Sequence, residues 1–187
     1  LFLSMLQQSL KVNNITEKPL SFPLEYLFTY DGTAKVQTEL TKNVYKGYLV
    51  SAEKRSASEK LFEKFCESSK NVDWFYKNGD KGAEYFSIVY EDNLGKQKSF
   101  YPDYIISING KIWIIETKGG FTKSGESEDI DKYTGKKFEV LKHYLNKYDL
   151  KGGIVRQDKQ SFELCICTDT YSDDIKSDAW KVLSEIL

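Results

Sequence analysis

Arginine is nearly missing from this chain: of 27 basic residues only Arg55 and Arg156 carry a guanidinium, and the rest are lysine. Bidentate arginine is the commonest reader of guanine edges, so such a chain is poorly equipped to read base sequence by itself. Histidine is rarer still, with His143 alone. One imidazole excludes zincin and two-histidine phosphodiesterase chemistry. Its helical setting in "EVLKHYLNKY" points to a solvated or packing residue rather than to a serine triad. The three cysteines, Cys66, Cys165 and Cys167, lack the two paired spacings of a zinc site, so reduced, buried thiols in a cytoplasmic protein are expected. No run of about 18 apolar residues is present, which excludes an apolar membrane helix. The net charge of −1 excludes a broadly basic nucleic-acid binder. There is no repeat, no low-complexity tract and no Walker-type phosphate loop. The opening "LFLSMLQQSL" has no basic leader, cleavage site or initial Met, and reads as the edge of a longer protein.

What is present fits an ordinary folded domain: 187 residues, 40% apolar and 29% charged, enough for one main core with an appendage. Residues 1–50, with Pro19 and Pro23 and short mixed runs, form an N-terminal extension in which a short helix and a few strands are expected. Residues 51–187 form the main domain. "SASEKLFEKFCESS" offers Ser56 as N-cap and Glu59 three residues on, followed by Leu61, Phe62, Phe65 and Cys66 at helical spacing. On that helix Glu59 borders the apolar stripe and Glu63 points further toward solvent. The runs "VDWFY", "EYFSIVYE", "SFYPDYIISI" and "KIWIIETK" are separated by tight turns and predict an antiparallel meander. "ESEDIDKYTGKKFEVLKHYLNKY" predicts a second helix, and "GGIVRQ" and "FELCICT" predict further strands, the latter with Cys165 and Cys167 on one face. The fold class is α/β (α+β).

Asn109-Gly110 is the strongest short hairpin signal, because both central residues of a type I′ turn need positive φ. Ile108 then faces Lys111, and the same register sets Asp103 directly opposite Glu116. Paired residues share a face, and Lys118 joins them by strand alternation. Opposed Cβ atoms lie about 4.5–5.5 Å apart, from which two carboxylates can ligate one hard cation. The flanking isoleucines, Ile105, Ile112 and Ile114 on one face and Ile106, Ile108 and Ile115 on the other, predict a sheet covered by helices on both faces. Charged groups at the ends of such strands need a rim or a neutralising partner.

Asp103 and Glu116 as Mg²⁺ ligands beside Lys118 suit phosphodiester hydrolysis: the metal polarises phosphate and activates water, and the ammonium orients the water or stabilises developing charge. The Thr117 carbonyl is a further candidate ligand. The bland alternative is two strand-end carboxylates, each solvated, with a surface lysine.

"YPDYIISINGKIWIIETKG" resembles the PD-(D/E)XK nuclease motif through Pro102, Asp103, Glu116, Thr117 and Lys118. The wider run from "SEKLFEKF" to "KGGIV", residues 55 to 156, is similar to the C-terminal endonuclease domain of the Res subunit of type III restriction enzymes and related helicase-linked nucleases. That resemblance implies a restriction-endonuclease-like core with a central mixed β-sheet. It also implies Mg²⁺-dependent cleavage of double-stranded DNA, with Mn²⁺ a possible substitute. The parent complex implied has a helicase/ATPase motor, where ATP is used, and a methyltransferase/specificity subunit; residues 1–50 would connect to the motor. An acidic residue on the first helix also belongs to the pattern, and Glu59 matches it, although it equally serves as the capping-box acid.

In "GGFTKSGESEDIDKYTGKK", Lys123, Lys132, Lys136 and Lys137 are candidates for DNA phosphates, Lys136 foremost because it begins the helix after the active strand; a solvated surface is the competing reading. Aromatic residues, 14% of the chain, fall mostly at strand spacing and favour core packing over base stacking. Rival functions are a nuclease of the same fold in DNA repair or recombination and a non-catalytic DNA-binding or scaffold domain. The scaffold reading expects the loss of a site residue, and none is lost. An intact module that is idle without its motor is also consistent with the acidic balance.

Overall fold

The computed structural model describes residues 20, 40–44, 55–79, 85–92, 94–119 and 133–187. Most of the expected elements of residues 1–50 lie outside these. The first helix, α1 (Ala57–Ser68), starts where the sequence puts it. The Ser56 hydroxyl accepts the Glu59 N–H at 3.2 Å, and the Glu59 carboxylate accepts the Ser56 N–H at 2.6 Å. That reciprocal cap satisfies two of the donors a helix N-terminus leaves open.

Eight strands follow: β1 (Val72–Lys77), β2 (Ile88–Glu91), β3 (Gln97–Phe100), β4 (Tyr104–Ile108), β5 (Lys111–Lys118), β6 (Lys151–Gln157), β7 (Leu164–Cys167) and β8 (Trp180–Val182). Helix α2 (Thr134–Lys147) lies between β5 and β6, and the short α3 (Leu183–Ile186) follows β8. Six strands form a central sheet in the order β1-β4-β5-β6-β7-β8. Only β5 and β6 pair in parallel, so the sheet is mixed, and α2 belongs to the crossover that a parallel pair requires.

The expected four-strand meander needs correction. β1 pairs with β4, while β2 and β3 leave the sheet as a separate two-stranded ribbon. "SFYPDYIISI" is therefore two strands broken at residues 101–103, since Pro102 has no N–H for a ladder. The break is held by buried Asn78, whose side-chain amide donates to the Phe86 and Pro102 carbonyls at 2.8 and 2.9 Å and accepts the Phe86 N–H at 3.2 Å.

Both faces of the central sheet are covered. Phe62 and Cys66 of α1 pack with Tyr104, Ile106 and Ile115, while Leu141, Tyr144 and Leu145 of α2 pack with Ile105 and Ile114 and with Ile88 and Phe100 of the ribbon. Cys165 and Cys167 share a face beside Phe138, Ile154 and Trp180. All three thiols are buried and unbridged, and burial pushes Cys167 up to about 11, a poor state for a metal ligand. No helix among the described residues is long and apolar enough to cross a membrane.

Candidate active site

The hairpin register is the expected one. Ile108 pairs with Lys111 and Tyr104 with Ile115, and Asn109 and Gly110 have φ of 49° and 74°. The turn is also tied from outside: Asp73 accepts the Gly110 N–H at 2.8 Å and the Ser107 hydroxyl at 2.7 Å.

Continued past β4, the same register sets Glu116 opposite Asp103 and Thr117 opposite Pro102. A strand residue sends its N–H and C=O to the same neighbour. Pro102 cannot donate to the Thr117 carbonyl, and its own carbonyl is taken by Asn78. The Asp103 carboxylate fills half of the gap: its Oδ2 accepts the Thr117 N–H and the Thr117 hydroxyl, both at 2.7 Å. The Thr117 carbonyl is thereby left facing the Asp103 edge without a ladder donor from that strand.

Glu116 is 5% exposed. Its Oε1 accepts from the Lys118 ammonium at 2.7 Å and lies 4.0 Å from Lys137 Nζ, while Oε2 is buried with no hydrogen-bond partner among the described residues. Burial first, and then the Asp103 charge, push its carboxyl up to about 7 against the pull of Lys118 and Lys137. Of the three residues expected together, Glu116 and Lys118 form an ion pair at the C-terminal end of β5, and Asp103 reaches the same strand end through Thr117, its charge acting on the Glu116 carboxyl.

Glu59 arrives from the start of α1. It reaches Asp103 through Lys77, whose ammonium is 2.9 Å from Glu59 Oε1 and 3.3 Å from Asp103 Oδ1. Burial raises the Glu59 carboxyl, but Lys77 and the Ser56 cap outweigh it and hold it below its usual range. The helix can approach because residue 119 is glycine, where an added Cβ would fall on Ser58 Cβ and Oγ.

Of two further residues at the site, Lys77 does not stand out in the sequence, and Lys137 does so only as one of four candidate lysines, behind Lys136. Lys77 ends an apolar strand just as Lys118 does, and this shared position is the signal that could have marked it. Lys137, 31% exposed, reaches Glu116 and the Phe100 ring, whereas Lys136 pairs with Glu139 on the outer side of α2 at 3.3 Å. Lys137 sits four residues before buried Leu141, so the helical period distinguishes it from Lys136. Lys123 and Lys132 lie outside the described residues. Glu63 is a correction: it is fully buried, not solvent-facing, and binds Arg55 Nε and the Tyr104 hydroxyl, each at 3.0 Å. An apolar stripe does not reveal a carboxylate that meets its partners across the core.

Oxygen donors are what the rim offers a metal: lone pairs of Asp103, Glu116 Oε2 and the Thr117 carbonyl. Among the described residues no three His, Cys, Asp or Glu side chains gather as a metal cage. Two carboxylates with remaining places for water and phosphate suit Mg²⁺, which keeps several waters and is seldom held by an all-protein cage. The buried, unpartnered Oε2 fits that use.

No family model, curated protein or solved structure matches the chain. The class the fold and the site define is a mixed α/β domain: a central mixed sheet with helices on both faces and two carboxylates and a lysine at one strand end.

Proposed function

We propose that residues 51–187 are a Mg²⁺-dependent DNA endonuclease domain of the PD-(D/E)XK kind on a restriction-endonuclease-like core, the cleavage module of a type III restriction enzyme. One observation carries the reading. Asp103, Glu116 and Lys118 share a strand end, and a buried Glu116 oxygen there has no hydrogen-bond donor among the described residues.

A bound divalent cation would supply Lewis acidity toward phosphate and a water of lowered pKa. The chain's own groups do the rest. Thr117 fixes the Asp103 carboxylate through two hydrogen bonds to Oδ2, and with Lys77 on Oδ1 this leaves one lone pair of Oδ1 for a metal. Glu116 holds the Lys118 ammonium within 2.7 Å, where it can orient a water or stabilise charge developing on phosphate. Lys137 adds positive charge on the side facing α2.

The test is plasmid cleavage in Mg²⁺, Mn²⁺ or EDTA at high protein concentration and low salt. Wild type should nick or linearise DNA with either metal and not in EDTA. Asp103→Ala and Lys118→Ala should each lose at least about 100-fold, the scale of removing one group that acts on the transition state. Cleavage that survives in either variant sinks the site assignment.

A further inference from the structure

Lys77 is 4% exposed, and its ammonium lies 2.9 Å from Glu59 and 3.3 Å from Asp103, 5.2 Å over the Tyr104 ring. A buried charge is tolerated only when paired, and this one is shared by two carboxylates from different elements, α1 and the bend before β4. Glu116 is arranged differently: one oxygen meets Lys118, and the other, in a residue 5% exposed, has no partner among the described residues. The site therefore has two halves. On the α1 half two carboxylates share one lysine fixed in the fold; on the Glu116 half one carboxylate oxygen is bound to Lys118 and the other meets no donor among the described residues.

We propose that Lys77 is a built-in cation that occupies the Glu59–Asp103 pair and limits the centre to one divalent ion, held between Asp103 and Glu116. The inference rests on the metal-site reading above. It assigns Glu59 the role of partner to Lys77, so Glu59 positions Asp103 through that ammonium and is not a metal ligand. Methionine at position 77 would keep the apolar stem and remove the charge, leaving Glu59 and Asp103 to repel each other unless a second cation joins them.

Direct counting tests this without DNA and without turnover. Mn²⁺ is titrated into the full chain at pH 8, with free Mn²⁺ read by electron paramagnetic resonance and heat by calorimetry. Wild type should bind one ion per chain, Lys77→Arg one, Lys77→Met two, and the double variant Lys77→Met with Glu59→Gln one again. Two ions on wild type, or one on a folded Lys77→Met protein, overturns the inference while leaving the nuclease reading intact. No ion on wild type overturns both. Circular dichroism reports whether Lys77→Met folds; if it does not, the counts on wild type and on Glu59→Gln decide, one ion on each supporting the inference and two on wild type refuting it.

Discussion

At the scale of one residue, Glu116 has its proton equilibrium set by its strand. It pairs with Ile154 of β6, and burial together with the Asp103 charge raises its carboxyl from 4.5 to about 7. An acid whose folded pKa exceeds its unfolded value binds the proton more tightly when folded. Its contribution to stability is therefore fully present below about pH 4.5 and falls as pH rises toward 7. The span corresponds to a loss on the order of 3 kcal/mol. Thermal or urea unfolding in EDTA should show it as a difference between variants: Glu116→Gln, which cannot titrate, should gain on wild type by roughly that amount between pH 4.5 and pH 8. A gap that stays constant with pH would show that Glu116 is charged throughout, with Lys118 outweighing burial.

At the scale of elements, the site is a meeting of three chain segments, and they differ in how far the sequence reveals them. The β4–β5 hairpin was legible because its register is set locally: Asn109 and Gly110 admit positive φ, and the pairing of every later residue follows from them. The start of α1 was legible for the same reason, its cap being four residues long. The departure of β2 and β3 from the sheet was not, because a turn signal says that a strand ends and not which strand it pairs with. The role of Lys77, the contact of Lys137 with Glu116 and the burial of Glu63 were hidden likewise, their partners standing on other elements. The junction of α1 with β5 is such a long-range fact, and Gly119 makes it. Gly119→Ala would drive Ser58 away and carry Glu59 and Lys77 off Asp103. Cleavage should fall about 100-fold, as small displacements in a catalytic constellation do. Adding Ser58→Gly should restore most of it, measured in the same plasmid assay; if it restores nothing, the contact is not what glycine at 119 provides.

At the scale of the whole molecule, the two arginines are both engaged inside the fold. Arg55 binds Glu63 with its side chain 5% exposed, and Arg156, 8% exposed, donates to the Asp173 carbonyl and lies over Trp180. Neither is placed to fork onto a guanine edge, so under the proposed function contact with DNA would fall to lysines, which meet phosphates as point charges. With a net charge of −1 the chain as a whole does not draw DNA, and binding depends on the local field at the site. Duplexes of unrelated sequence should therefore bind the inactive Asp103→Asn protein with affinities within about tenfold of one another, since the term that remains is sequence-independent. Affinity should fall linearly on a log–log plot against salt, with a slope of about 0.9 per phosphate contact. Lys137→Ala, which removes the α2 cation beside Glu116, should reduce that slope by about one for every duplex, while Lys136→Ala, its charge already paired to Glu139, should change it less. Fluorescence anisotropy between about 20 and 200 mM salt measures all of this, a range over which several phosphate contacts lose orders of magnitude in affinity. A single duplex bound far more tightly than the rest would show that the chain reads sequence without arginine.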